Sequence, residues 1–167
     1  MKSILFLIVI AFVFSGCSKK TDKDYMDAAQ QALVNKKVGE AVKSYDKLIT
    51  EYPESKLAPE AMVKLANMYQ NMMVDSLSHI KSYKKAENIF RDLYEKYPDS
   101  KQAPTALFMS GFIEANNLHQ FDKATQTYRI FLEKYPDHEL AESAKQELNT
   151  MGKAPDEILK QKKAKKM

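Results

Sequence analysis

The residues of this chain best suited to chemistry are one cysteine and three histidines. His79, His119 and His138 lie far apart and read as members of three different turns. Metal sites draw on short paired ligand spacings, and none is present among these histidines, so surface roles are expected. The sequence carries no P-loop, no nucleophile elbow and no glycine-rich dinucleotide loop. Its many carboxylates are interspersed with lysines, a pattern that reads as solvated helix faces. No catalytic centre, cofactor, metal or small-molecule substrate is expected. Cys17 stands apart. As the sole cysteine it cannot form an intramolecular disulfide. It follows a short positive start (Met1-Lys2-Ser3), an apolar run from Ile4 to Phe14, and the small pair Ser15-Gly16. That run is too short to span a bilayer, but it fits the core of a secretory signal, and small residues suit a peptidase cut.

Phe14-Ser15-Gly16-Cys17 resembles the lipobox of bacterial lipoproteins. It departs at Phe14, where an aliphatic residue is commoner. The resemblance implies removal of residues 1–16 and acylation of Cys17. Several acyl chains on one residue hold a protein stably to a membrane, whereas one chain is marginal. Ser18, where an inner-membrane protein of the enterobacterial type has Asp, implies sorting to the outer membrane.

Behind this leader, one phrase is written three times. It reads Ala41-x3-Tyr45-x2-Leu48-x3-Tyr52-Pro53, then Ala86-x3-Phe90-x2-Leu93-x3-Tyr97-Pro98, then Ala124-x3-Tyr128-x2-Phe131-x3-Tyr135-Pro136. Alanines follow each Tyr-Pro in the same register: Ala58 and Ala61, Ala103 and Ala106, Ala141 and Ala144. Such a period marks stacked repeats. The apolar spacing is helical throughout, and no strand is expected. Helices are expected from Tyr25 to about Asn35, Val38 to Glu51, Leu57 to Met73, Lys81 to Tyr97, Gln102 to Asn117, Phe121 to Tyr135 and Glu139 to Met151. Gly152 would cap the last, and Asp156 to Lys160 could begin an eighth. Proline after each tyrosine stops the second helix of a pair. Ala29, Ala66 and Gly111 pair with Ala41, Ala86 and Ala124, small residues that let two helices approach while aromatic residues fill the adjoining space.

Leu65-Ala66-x2-Tyr69, Ala86-x3-Phe90 and Pro98 resemble the tetratricopeptide repeat. The resemblance departs at Glu114, where the register has Tyr69 one repeat earlier. It implies an all-α solenoid of about three helix pairs plus a C-terminal capping helix, over residues 25–151. Residues 17–24 would be a lipidated tether, and residues 152–167 a short helix and basic tail. Lys160, Lys162, Lys163, Lys165 and Lys166 are five of the 26 basic residues, and without them the chain is close to neutral against its 22 acidic ones. Such a balance does not point to nucleic acid. The tail could touch anionic headgroups, bind an acidic partner, or simply solubilise the end.

The stretches Tyr52-Pro53-Glu54-Ser55-Lys56-Leu57-Ala58-Pro59 and Tyr97-Pro98-Asp99-Ser100-Lys101-Gln102-Ala103-Pro104 are similar to those of Gram-negative envelope proteins. The similarity is to the BamD lipoproteins of outer-membrane β-barrel assembly, and also to the YbgF/CpoB proteins of the Tol-Pal system. It implies a periplasm-facing, membrane-anchored scaffold for envelope proteins. A subunit presenting substrate to a cell-wall enzyme is a further alternative. In the tetratricopeptide register the inward positions fall on Gln30, Val63, Asn67, Gln70, Asn71, Phe108, Phe112 and Asn116. Amides and two exposed phenylalanines would suit an extended peptide. Met62, Met68, Met72 and Met73 would either fill the core or adapt to a partner.

Overall fold

The computed structural model describes residues 19–153 and residue 157. Cys17, Ser18 and the lysine run lie outside the described residues. Among the described residues seven helices follow one another: α1 (Asp22–Val34), α2 (Val38–Glu51), α3 (Ala58–Gln70), α4 (His79–Lys96), α5 (Ala103–Asn116), α6 (Phe121–Lys134) and α7 (Ala141–Thr150). Among the described residues there is no strand, and no helix is long and apolar enough to cross a membrane. Each helix packs on its neighbour in sequence, as in a solenoid. The α4–α5 seam is as extensive as the seams inside pairs, and the α2–α3 seam is narrower.

Local chemistry sets the ends. Thr21 caps α1: its Oγ1 accepts from the Asp24 amide at 3.1 Å, and the Thr21 amide donates to the Asp24 carboxylate at 2.8 Å. This capping box satisfies two orphan donors, and it makes residues 22–24 helical instead of tether. Pro59 and Pro104 sit in the first turns of α3 and α5, where a missing N–H costs nothing. Tyr52, Tyr97 and Tyr135 end α2, α4 and α6 with φ of −133°, −129° and −132° and ψ of 56°, 56° and 55°. The following proline excludes the helical region from each of them.

The turns inside the pairs use another device. Lys36 and Met72 sit in the left-handed region at φ 58° and 55°. Lys37 N bonds Ala32 O at 2.8 Å, and Met73 N bonds Met68 O at 3.0 Å. These are Schellman ends built without glycine, and the second stops α3 at Gln70, three residues short of the expected Met73. Gly39 lies inside α2 and serves neither turn. Gly152, at φ 73°, follows α7 as expected.

The small-residue register holds. Ala29, Ala41, Ala66, Ala86 and Ala124 are fully buried. At Gly111 a Cβ would come within 3.1 Å of Thr127 and of the Tyr128 ring, so an alanine there would require these side chains to give by a few tenths of an ångström, and glycine lets α5 and α6 close without that shift. Tyr45, Phe90 and Tyr128 fill the matching spaces and are themselves buried. Met62 and Met68 are core residues too.

Candidate functional site

The expected inward residues fall on the first helices of the pairs. On α3, Val63, Asn67, Gln70 and Asn71 recur at helical spacing and share one face. Val63 packs partly onto the core, and Asn67 and Asn71 are exposed. On α1, Gln30 is exposed. One turn on, Val34 is 76% exposed, an apolar group beside Gln30 that the sequence reading missed, although its spacing of four residues would have found it. The side-chain amides of Gln30, Asn67, Gln70 and Asn71 make no hydrogen bond among the described residues.

On α5 the expectation of two exposed phenylalanines needs correction. Phe108 is buried, its ring 5.5 Å from that of Tyr128 and 5.8 Å from that of Phe131. The α6 aromatics offer it more apolar contact than solvent does, so it belongs to the core. Phe112 stays half-buried at the edge of the same cluster. Asn116 is committed elsewhere: its amide donates to Glu147 Oε2 and to Phe112 O, each at 3.2 Å. With His119, Phe121 and Met151 it lines a cleft of about 560 Å³ between the α5–α6 turn and α7. The face therefore reduces to Gln30, Val34, Val63, Asn67, Gln70, Asn71 and Phe112.

These faces belong to helix pairs in one repeated register, and the register decides the family. A tetratricopeptide repeat model matches residues 25–55, 60–100 and 105–138. The chain belongs to the tetratricopeptide repeat family. No curated protein matches it significantly. Tetratricopeptide repeats are in general protein-binding modules without catalysis of their own.

Aligning the tetratricopeptide repeats exposes a second cluster that sequence reasoning passed over. In the second pair, Lys85 Nζ lies 5.0 Å above the Tyr69 ring. The third pair places Lys123 and Glu114 at those two positions. Glu114 is fully buried, with Lys123 Nζ 3.1 Å from its Oε1, Thr127 Oγ1 donating to its Oε2 at 2.7 Å, and Arg91 bonded to Oε1. Arg91 reaches from α4, where it also donates to Glu87 at 2.7 and 2.9 Å. Lys123 and Ser110 donate to that same Glu87 oxygen at 3.0 and 3.3 Å. Two buried carboxylates thus share two cations across α4, α5 and α6. Burial pushes the Glu87 carboxyl up, but the bonds from Lys123 and Arg91 more than offset it and hold it below the ordinary range. For Glu114 burial prevails over the bonds from Thr127 and Lys123, and its carboxyl lies above that range. The cluster is a structural lock, and its Lys123 also lines an open surface hollow of about 410 Å³ with His119, Gln120, Phe121 and Asp122.

The histidines remain separate. His79 opens α4, His119 holds a left-handed turn at φ 54°, and His138 shapes the turn before α7. His138 Nδ1 accepts from the Leu140 amide at 3.1 Å, as Ser55 Oγ accepts from the Leu57 amide at 3.0 Å. Histidine here replaces serine in a repeated turn. Among the described residues no three of His, Cys, Asp and Glu converge as a metal site would require.

Proposed function

We propose that the chain is a membrane-anchored protein-interaction scaffold of the Gram-negative envelope. It would be held to the outer membrane through acylated Cys17, facing the periplasm, and would serve outer-membrane β-barrel assembly. The observation that carries the binding role is the face of α1, α3 and α5. Four amides there lack partners within the described residues, and Val34, Val63 and Phe112 offer apolar area beside them. Amides satisfy the backbone of an extended segment, and apolar side chains supply burial. What supports the address is the apolar run ending in Ser15-Gly16-Cys17. What supports the assembly role is the likeness of the Tyr-Pro connections to those of BamD lipoproteins.

The test is a mild-detergent capture of the acylated protein from its own envelope, with Cys17→Ala as control. Recovery of a β-barrel assembly subunit, weakened when the anchor is removed, is the expected result. Recovery of Tol-Pal components or of a peptidoglycan enzyme, without any barrel-assembly subunit, would replace this reading by one of a division-linked scaffold or a substrate-presenting subunit.

A further inference from the structure

The start of the described chain is tied down, and this fixes how an anchored domain must stand. The Tyr52 hydroxyl donates to the Lys20 carbonyl at 2.5 Å, and the Ser55 hydroxyl donates to Asp22 Oδ2 at 2.5 Å. Lys19 Nζ lies 5.4 Å over the Tyr52 ring, and Lys20 Nζ lies 5.9 Å over the Tyr25 ring. The next turn is bound to this one, since the Tyr97 hydroxyl donates to the Pro53 carbonyl at 2.7 Å. Because helices alternate in direction, the beginnings of α1, α3, α5 and α7 and the ends of α2, α4 and α6 form one edge of the solenoid. The turns inside the pairs and the end of α7 form the opposite edge.

We infer that the edge of inter-pair turns rests against the bilayer surface and that the opposite edge points away from it. The inference rests on the acylated Cys17 of the proposed function. Lys20 is three positions after Cys17, and three fully extended residues span at most about 10 Å. The 14 residues of α2 separate the two edges by about 21 Å at the rise of an α-helix. A tether that short keeps the near edge within about 10 Å of the headgroups and excludes a domain standing on its far edge while Lys20 stays pinned. Charge is not what orients the domain, because Lys19, Lys20 and Lys56 on the near edge are mixed with Glu54, Asp99 and Asp137. The face of free amides then opens sideways, and a segment crossing α1, α3 and α5 runs parallel to the membrane.

The experiment uses full-length acylated protein on vesicles of phosphatidylethanolamine and phosphatidylglycerol containing nitroxide headgroups, which quench fluorescence at short range. Acylation blocks Cys17, so a fluorophore can be placed at one introduced cysteine: Glu54→Cys or Asp99→Cys on the near edge, Asp75→Cys or Gln120→Cys on the far edge. Quenching several-fold stronger at the near-edge positions is expected. A Gly-Ser spacer of about ten residues after Ser18, a flexible coil, should abolish that difference and keep the protein on the vesicles. Equal quenching at both edges of acylated protein would overturn the orientation and leave the anchor standing. A difference that survives the spacer would overturn the short tether as its cause. Mature protein lacking acyl mass on Cys17 would overturn the anchor and the orientation together.

Discussion

Glu114 stands where the preceding repeat has Tyr69, and it titrates in the opposite sense to its neighbour Glu87. Glu87 is held below the ordinary glutamate value of 4.5, so its contribution to stability is present above that value and lost as pH falls through its folded pKa. Glu114 is raised, so its contribution is full below 4.5 and lost as pH rises through its folded pKa. Urea unfolding of Glu87→Gln should therefore show a larger penalty at pH 7 than at pH 4, and Glu114→Gln a larger penalty at pH 4 than at pH 7. Parallel trends would refute the assignment. Packing gives two further expectations. Ala66 is fully buried against α4, and Ala66→Phe should cost roughly 1–3 kcal/mol or more by overpacking, read from the urea midpoint. The buried Tyr128 hydroxyl has no hydrogen-bond partner among the described residues, while Phe90 fills the equivalent place one repeat earlier. Tyr128→Phe should be neutral or gain up to about 1 kcal/mol, because it removes an unsatisfied polar group. A clear loss would mean that the hydroxyl is in fact satisfied.

At the scale of the elements, the second helix of each pair was the most legible part. Val38–Glu51 is both the expected and the observed α2, because an alanine-aromatic-leucine face and a following proline define both sides of it. The ends of first helices were harder to read. A Schellman turn needs a left-handed residue, and glycine advertises that need where Lys36 and Met72 do not. Lys36 is exposed, and relieving its backbone strain with Lys36→Gly should raise stability by about 0.5–1 kcal/mol by thermal or urea unfolding. A loss would show that the turn is not strained. Within a helix, which side of a face is covered was also illegible. Phe108 and Phe112 share a spacing, but only the neighbouring α6 aromatics decide that Phe108 is buried.

At the scale of the whole molecule, the described residues form two core clusters joined through α5. Ala106 and Ile113 of that helix pack into the cluster of α1 to α4, while its Leu107, Phe108 and Ala115 pack with α6 and α7. The ion lock of Arg91, Glu87, Glu114 and Lys123 crosses the same seam. A shared helix couples the halves, so residues 22–150 should unfold in one transition. Far-ultraviolet dichroism and tyrosine fluorescence, the latter available because the chain has nine tyrosines and no tryptophan, should give coincident urea curves. Separated midpoints would show that the clusters fold independently.

By itself the sequence determined the all-α class, the pairing of helices, the small residues at their crossings and the stops at Tyr-Pro. Each of these is a local or periodic property, repeated three times, and repetition separates signal from chance. Only the tertiary structure decided that two carboxylates are buried, that Phe108 is core, and that the chain before α1 is bound to the turn after α2. Those facts depend on side chains brought together from different helices, with Glu87 meeting Lys123 across 36 positions and Lys20 meeting Tyr52 across 32. Spacing along one helix does not encode such a meeting; the stacking of one pair on the next creates it.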